Sequence, residues 1–307
     1  MSEETIYDVV VVGGASAAQS SAIYAKRAGR SVLVVANDYG GQINNTDVVE
    51  NYLGFKSISG PELAEQYLEH MREYDIDEKT GYRVTDIRKP EDIFEIERED
   101  GEIYRGRSVI IATGGHRRKL GVEGEEEFAN KGVGYCAVCD GPLYQGEEVA
   151  VIGGGYAGTE AADYLSDIAD KVYVLSRSGK LKGEQITIEK VEKEDNVEVI
   201  RGAEATKFYG ENLLEGLKYE QDDEIKDLEV TGAFIEIGTV PNSDITDLVE
   251  RDESRRIKVD DDMNAGSEGL YAAGDVNNAG VQQLQVSAGQ GCQAGLNASE
   301  YVKQSKE

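Results

Sequence analysis

Val149-Ala-Val-Ile152-Gly153-Gly154-Gly155-Tyr156-Ala157-Gly158 is the stretch whose reading decides the fold. Four apolar residues in a row read as a strand buried on both faces, and the glycines after them fit G-x-G-x-x-G at a strand-to-helix turn. A helix is expected to about Ile168, then a second apolar strand at Val172-Tyr-Val-Leu175, which together make a βαβ unit of a parallel sheet. The same order occurs earlier in the chain. Tyr7 to Val12 runs into Gly13-Gly14, then Ala17, Ala18, Ala22, Ile23 and Ala25 recur at helical spacing, Gly29 closes the helix, and Ser31 to Ala36 forms the returning strand.

Each unit is followed by a hairpin and a strand that ends on glycine. In the first half Phe94–Glu97 and Glu102–Tyr104 flank Asp100-Gly101, a strong turn dipeptide, and Val109–Ala112 leads into Thr113-Gly114. In the second, Leu217–Tyr219 and Leu228–Val230 flank an acidic turn, and Ala233–Ile237 leads into Gly238. Residues 257–307 (Ile257-Lys-Val259, Gly269–Asp275 and a Gln- and Ala-rich helix) are too short for a domain of their own. They return to the first half. The expected fold is therefore α/β, with two Rossmann-like, three-layer dinucleotide-binding domains: residues 1–116 with 245–307, and an inserted domain at 117–244.

A chain of 307 residues exceeds what one growing core holds, in keeping with two domains. Its net charge of −28 excludes nucleic acid and anionic membranes as partners. The 39% hydrophobic content, gathered into strand-like runs, excludes disorder. So acidic a surface suits concentrated salt, which points to a halophilic cytoplasm and to loss of stability at low ionic strength. The opening Met-Ser-Glu-Glu-Thr-Ile lacks the basic start and apolar stretch of a secretory signal, and no apolar run is long enough to span a membrane. A cytoplasmic location is expected.

In the second glycine turn the glycines permit a tight bend and close approach of a pyrophosphate to the helix N-terminus. The following strand ends on Ser176-Arg177-Ser178, with Lys180 and Lys182 nearby and no acid for a ribose 2′-hydroxyl. Arg177 therefore favours a 2′-phosphate, hence NADPH over NADH, against the alternative of an ordinary surface arginine. The first turn reads Gly13-Gly14-Ala15-Ser16-Ala17-Ala18, with a methyl at Ala15 where the backbone should approach the phosphates. Cys136-Ala-Val-Cys139-Asp140 is the most informative motif: two cysteines three apart can close a small disulfide, and a thiolate there can exchange with a partner disulfide. Zinc is the competing use. It takes four ligands, and beyond this pair the sequence offers only Cys292, His70 and His116, so no metal is expected. Asp140 also reads as the opening of a turn at Gly141-Pro142, and Cys292, among small residues, as a core cysteine.

At these residues the chain resembles the low-molecular-weight thioredoxin reductases. Gly40-Gly41-Gln42, Glu50-Asn51-Tyr52-Leu53-Gly54-Phe55, Ala112-Thr113-Gly114-Gly115, Gly132-Val133-Gly134-Tyr135-Cys136 through Gly141, Gly238-Thr-Val-Pro-Asn242 and Ala273-Gly274-Asp275 occur in that family's order. The resemblance implies an FAD domain built from both chain ends, an inserted NADPH domain carrying the cysteines, and a homodimer. FAD contacts are expected at Gly13, Gly14, Ala15, Ser16, Ala17, Gly41, Gln42, Asn51, Ala112, Thr113, Gly114, Gly274, Asp275, Gln282 and Gln283. NADPH contacts are expected at Gly153, Gly155, Gly158, Thr159, Glu160, Ser176, Arg177 and Lys182. Electrons would pass from NADPH through FAD to Cys139 of the pair, Cys136 would attack the disulfide of thioredoxin, and Asp140 would exchange the proton. One domain would rotate on the other between half-reactions, about hinges at 115–118 and 240–245.

The sequence departs from that pattern at three places. Ser176-Arg177-Ser178 stands where the family has His-Arg-Arg, Ala15 interrupts the first glycine motif, and Gln282 stands where an arginine commonly precedes the flavin-binding glutamine. Three alternatives follow: the same flavin and dithiol chemistry fed by ferredoxin or another donor, a flavin-bound redox sensor without turnover, or reduction of a small disulfide or a peroxiredoxin-linked carrier.

Overall fold

The structure, a computed structural model, describes residues 5–46 and 48–305; residues 1–4, part of the N-terminal reading, lie outside that range. In chain order the elements are β1 (Ile6–Val12), α1 (Ser16–Arg27), β2 (Val32–Val35), α2 (Gly60–Arg72), β3 (Asp77–Lys79), β4 (Val84–Arg88), β5 (Phe94–Arg98), β6 (Ile103–Ile111) and β7 (Gly115–Arg117). There follow β8 (Val133–Gly134), α3 (Ala137–Asp140), β9 (Glu148–Ile152), α4 (Tyr156–Ser166), β10 (Lys171–Ser176), α5 (Gln185–Lys193) and β11 (Val197–Arg201). The chain ends with β12 (Glu204–Gly210), β13 (Leu214–Gln221), β14 (Glu224–Glu229), β15 (Gly232–Ile235), β16 (Thr239–Pro241), β17 (Leu270–Ala272) and α6 (Leu284–Ser305). They form two compact units, Met1–His116 with Val240–Glu307, and Arg117–Thr239, so that residues 240–244 group with the first unit.

In the first unit the sheet order is β3-β2-β1-β6-β5-β4, with β17 also on β6. β1, β2, β3, β6 and β17 pair in parallel, while β4 and β5 join as antiparallel arms. Because the central strands are covered on both faces, their buried stretches Val9–Val12, Val32–Val35 and Val109–Ile111 are apolar at every position. Val9, Val11, Val34 and Ile110 face α1 and α6, and Val10, Val12, Leu33, Val35, Val109 and Ile111 fill the opposite layer. The polar stretch Arg105–Ser108, which breaks the sequence pattern between hairpin and strand, lies within one continuous strand. Its polar groups are partnered there: Arg105 pairs with Glu95 at 2.8 Å, and the Ser108 hydroxyl donates to the Gly269 carbonyl at 2.7 Å.

α1 and α6 pack with only small residues between them. A Cβ on Gly291 would lie 2.2 Å from the Ala17 carbonyl oxygen and one on Gly295 would lie 2.5 Å from that of Ser21, so the helices meet backbone to backbone.

In the second unit a parallel sheet runs β11-β10-β9-β15-β8 and a separate antiparallel one runs β12-β13-β14. The acidic turn of the β13–β14 hairpin is Asp222-Asp223, both at positive φ, the conformation a two-residue turn needs to match strand twist. β4 and β12 went unread in the sequence because both carry mixed polar residues. β7 and β16 pair with each other as a two-stranded ribbon, stitched by hydrogen bonds between Asn242 and the Thr113 backbone and side chain and by His116 Nδ1 to Asn242 Oδ1 at 2.9 Å.

Candidate active site

Each glycine turn can be tested by asking what a methyl group would meet there. In the second unit a Cβ would lie 2.4 Å from the Glu236 carbonyl at Gly153, 2.3 Å from the Ser176 hydroxyl at Gly154 and 1.9 Å from the Gly153 carbonyl at Gly158. Those three glycines are demanded by the protein itself. Gly155 is not: its φ of −80° suits any residue and nothing lies within 4 Å of the Cβ position. It fronts open space at the N-terminus of α4, which has no side-chain cap and no acid in its first turn, and so offers unpaired N–H groups to an anion. This fits a dinucleotide pyrophosphate.

The loop after β10 is sewn to that turn. Ser176 is fully buried with its hydroxyl on the Lys180 carbonyl at 3.0 Å, the Lys182 N–H donates to Gly154 at 2.8 Å, and the buried Thr159 hydroxyl donates to the Lys182 carbonyl at 2.9 Å. Ser176 and Thr159 thus hold the loop in shape with their hydroxyls turned into the protein. The side chains of Glu160, Arg177, Lys180 and Lys182 are exposed. Arg177, at 80% exposure, has Glu204 at 3.6 Å.

In the first unit α1 begins at the same kind of turn. Gly13 and Gly14 are again fixed by packing, a Cβ lying 2.2 Å from the Ala112 carbonyl in one case and 2.0 Å from that of Asp38 in the other. Ala15 takes the place of Gly155 with nearly the same backbone, φ −97° and ψ −168°. The helix lacks both a side-chain cap and a first-turn acid, and Gly41 and Gly274 close on it tightly, their Cβ positions 3.1 and 3.0 Å from the methyls of Ala15 and Ala17. Around this cradle the fold joins residues far apart in sequence. Gln42 donates to Asp275 at 3.5 Å and Asn51 to Gln283 at 3.4 Å; Ser287 also donates to Asp275, at 3.3 Å. Ala112, Thr113 and Gly114 follow β6 beside Gly13, and Gln282 adjoins Gln283. A flavin dinucleotide fits a surface of this kind: an uncapped helix start for the pyrophosphate, with amides and a carboxylate beyond it for polar groups.

Cys136 and Cys139 form a disulfide across the turn of α3, with Cα atoms 5.3 Å apart. Cys136 caps that turn, its sulfur accepting the Cys139 N–H at 3.3 Å. Both cysteines are half-buried and Val138 between them is exposed, so the turn that carries the pair lies at the protein surface. Asp140 ends the turn, its carboxylate against Gly134. Cys292, in contrast to a core placement, is only half-buried, on the helix α6 that packs against α1. Among the described residues no cluster of three or more His, Cys, Asp or Glu side chains is placed to hold a metal.

Four supporting residues were not legible from motifs. Gln19, buried in α1, donates to the Gly14 carbonyl at 2.8 Å and braces the first turn. Gln290 accepts the Gly274 N–H at 2.8 Å and donates to the Ala279 carbonyl at 2.6 Å, fixing the loop that bears Asp275. Glu125, 1% exposed, accepts the Leu120 and Gly121 N–H groups and, at 2.8 Å, the hydroxyl of Tyr135, next to Cys136. Glu236 accepts the Ala137 N–H at 3.3 Å. For Gln19, Gln290 and Glu236 the only signal in sequence is a polar residue amid apolar or small ones, and Glu125, within the acidic run Glu125-Glu126-Glu127, carries none.

The model of the pyridine nucleotide-disulphide oxidoreductase family matches residues 7–291. A protein of Ferdinandcohnia aciditolerans named NADH dehydrogenase is 41% identical over 305 residues, 98% of this chain and 59% of that one. A component of the alkyl hydroperoxide reductase of Staphylococcus aureus is 39% identical over 299 residues, 96% of this chain and again 59% of the relative, so the chain spans about three fifths of the length of these curated relatives. The crystal structure of thioredoxin reductase from Streptococcus pyogenes superposes with a TM-score of 0.91 at 32% identity, covering 98% of this chain and 100% of that one. With two uncapped dinucleotide turns and a cysteine pair on a surface turn in one chain, matched over almost its whole length, this protein belongs to the pyridine nucleotide-disulphide oxidoreductase family.

Proposed function

We propose that the chain is a thioredoxin-disulfide reductase, drawing on NADPH and passing electrons to thioredoxin or a similar protein disulfide. The observation that carries this reading is the Cys136–Cys139 disulfide on its surface turn, set in the same unit as the open Gly155 turn. The full-length likeness to a thioredoxin reductase structure supports it. FAD, when bound, supplies the two-electron link between a nicotinamide and the disulfide.

The chain's own residues do the rest. The start of α1 and Gln42, Asn51, Asp275 and Gln283 hold the flavin, and the start of α4 holds the nucleotide pyrophosphate, with Arg177, Lys180 and Lys182 towards the 2′-phosphate. Two electrons and two protons open the Cys136–Cys139 bond. The Cys136 thiolate then attacks the partner disulfide, forming a mixed disulfide and releasing one partner thiol. Cys139 attacks the Cys136 sulfur, restoring the internal disulfide as the second partner thiol leaves. Asp140 takes and returns the proton. A homodimer in a salt-rich cytoplasm belongs to the same reading, supported by the resemblance and by the charge of −28.

NADH is the second reading for the donor, favoured because Arg177 has Glu204 as a competing partner. Anaerobic titration in multimolar KCl with NADPH, and separately NADH, decides between them: bleaching of the flavin band at near-stoichiometric NADPH is expected. A yellow protein bleached by dithionite and by neither nucleotide overturns the nicotinamide assignment and leaves ferredoxin or another donor.

Gly155→Ala separates binding from folding. Because no protein atom opposes the methyl, the melting temperature should stay within a degree or two of the parent. The nucleotide KM should rise about tenfold, the effect of roughly 1.4 kcal/mol of lost pyrophosphate contact. An unchanged KM would show that the pyrophosphate does not approach Gly155 closely.

A further inference from the structure

Glu236 ends the otherwise apolar run Ala233-Phe-Ile235 of β15 and is only 7% exposed. One carboxylate oxygen accepts the Ala137 N–H at 3.3 Å, and the other lies 3.9 Å from an Arg117 guanidinium nitrogen on β7. Burial pushes its carboxyl up; Arg117 and the Ala137 N–H oppose that, and the charge of Glu160 on α4 adds to it. A buried acid costs free energy that an apolar residue would not, so its retention calls for a reason. Its partner supplies one. The Ala137 N–H belongs to the peptide that joins Cys136 to Ala137, and the Cys136 sulfur already takes the Cys139 N–H. With the Ala137 N–H committed to Glu236 and the Cys139 N–H shared with the Cys136 carbonyl, the sulfur is weakly supplied with backbone donors, and a carboxylate stands beside its own peptide.

We propose that Glu236, held by Arg117, is a positioning residue for the redox pair: it fixes the peptide after Cys136 and makes the reduced pair less stable, hence a stronger reductant. The inference rests on Cys136–Cys139 being the exchanging disulfide. Hydrogen bonds to a thiolate and removal of nearby negative charge stabilise the reduced form. The charged groups around the site are Arg117 on β7, Glu160 on α4 and, at the other end of the turn, Asp140 on α3.

Glu236→Gln keeps the shape and an acceptor for Ala137 while removing the charge. The full-length, flavin-loaded protein is equilibrated without oxygen at pH 7 in buffers of reduced and oxidised dithiothreitol. It is then quenched with a thiol-alkylating reagent in denaturant and its modified thiols counted by mass, Cys292 adding a constant one. Half-reduction of the variant should need about three- to tenfold less reduced dithiothreitol relative to oxidised; a tenfold change is about 30 mV for this two-electron couple. Alkylation of Cys136 should also set in at lower pH. If the variant titrates with the parent, or shifts the other way, the inference is wrong. If Glu236→Gln does not fold, Glu236→Ala must shift in the same direction. A parent pair that does not titrate reversibly overturns the reading of Cys136–Cys139 itself, an outcome distinct from equal titration of parent and variant.

Discussion

Replacing either cysteine by serine, Cys136→Ser or Cys139→Ser, should lower turnover with a protein disulfide by roughly a thousandfold or more, the scale on which loss of a covalent nucleophile is felt. In the proposed cycle each thiol has a step the other cannot perform: one meets the partner disulfide and its neighbour resolves the mixed disulfide. A hydroxyl does neither at neutral pH. Bleaching of the flavin by nucleotide should survive in both variants, because the glycine turn at α4 and the cradle at α1 share no residue with the α3 turn. The two variants should also differ. With Cys139 replaced, the remaining Cys136 can still form a mixed disulfide with a partner but cannot be released from it, so a covalent complex should be recoverable on non-reducing gels. Substantial turnover in either variant would remove the dithiol from the mechanism. Loss of bleaching together with turnover would show that the substitution had damaged the flavin site instead.

The largest effect on stability is expected at Gly291→Ala. Taken alone, alanine favours a helix over glycine by about 1 kcal/mol. Here its methyl would lie 2.2 Å from the Ala17 carbonyl, a backbone atom in the first turn of a packed helix that cannot rotate away. α1 and α6 would have to separate, opening the layer that holds Ala18, Ala22, Ala294 and Ala298. We expect a net loss of roughly 2–4 kcal/mol, within the range for overpacked cores, together with weaker flavin retention because Ala17 and Gly274 form part of the cradle. Gly289→Ala on the same helix is the control. Nothing lies within 4 Å of its Cβ position, so it should be neutral or stabilising by about 0.5–1 kcal/mol. Thermal unfolding followed by ellipticity and by release of flavin fluorescence measures both. Equal melting of the two variants would mean that the helices are not in backbone contact.

The prediction at Gly155 differs in kind. Glycines that look alike in the motif divide into those the protein needs and the one it does not, a division visible only from what surrounds each. Gly153, Gly154 and Gly158 answer to Glu236, Ser176 and the turn itself, whereas nothing in the protein lies within 4 Å of a Cβ at Gly155.

Periodicity and punctuation alone determined much of this protein. Continuous apolar runs at Val9–Val12, Val32–Ala36, Val149–Ile152 and Val172–Leu175 are what strands buried on both faces require, and the glycines that follow the first and third are what a strand-to-helix turn requires. Both are local constraints, written in neighbouring residues. The cysteine pair was legible for the same reason, since a disulfide across one helical turn needs only a spacing. What was not local had to await the tertiary structure. β6 runs unbroken through Arg105–Ser108 because Glu95 on β5 and the Gly269 carbonyl, in the turn before β17, partner those polar groups. Ser176 and Thr159 give no hint in sequence that their hydroxyls donate to carbonyls of the loop after β10. Gln42 and Asn51 meet Asp275 and Gln283 across more than 230 residues of chain. Glu236 reaches the peptide after Cys136 across 99 positions. The physical reason is the same throughout: hydrophobic patterning is a property of a segment, whereas the partner of a buried polar group is chosen by the fold, and no spacing in the sequence records it.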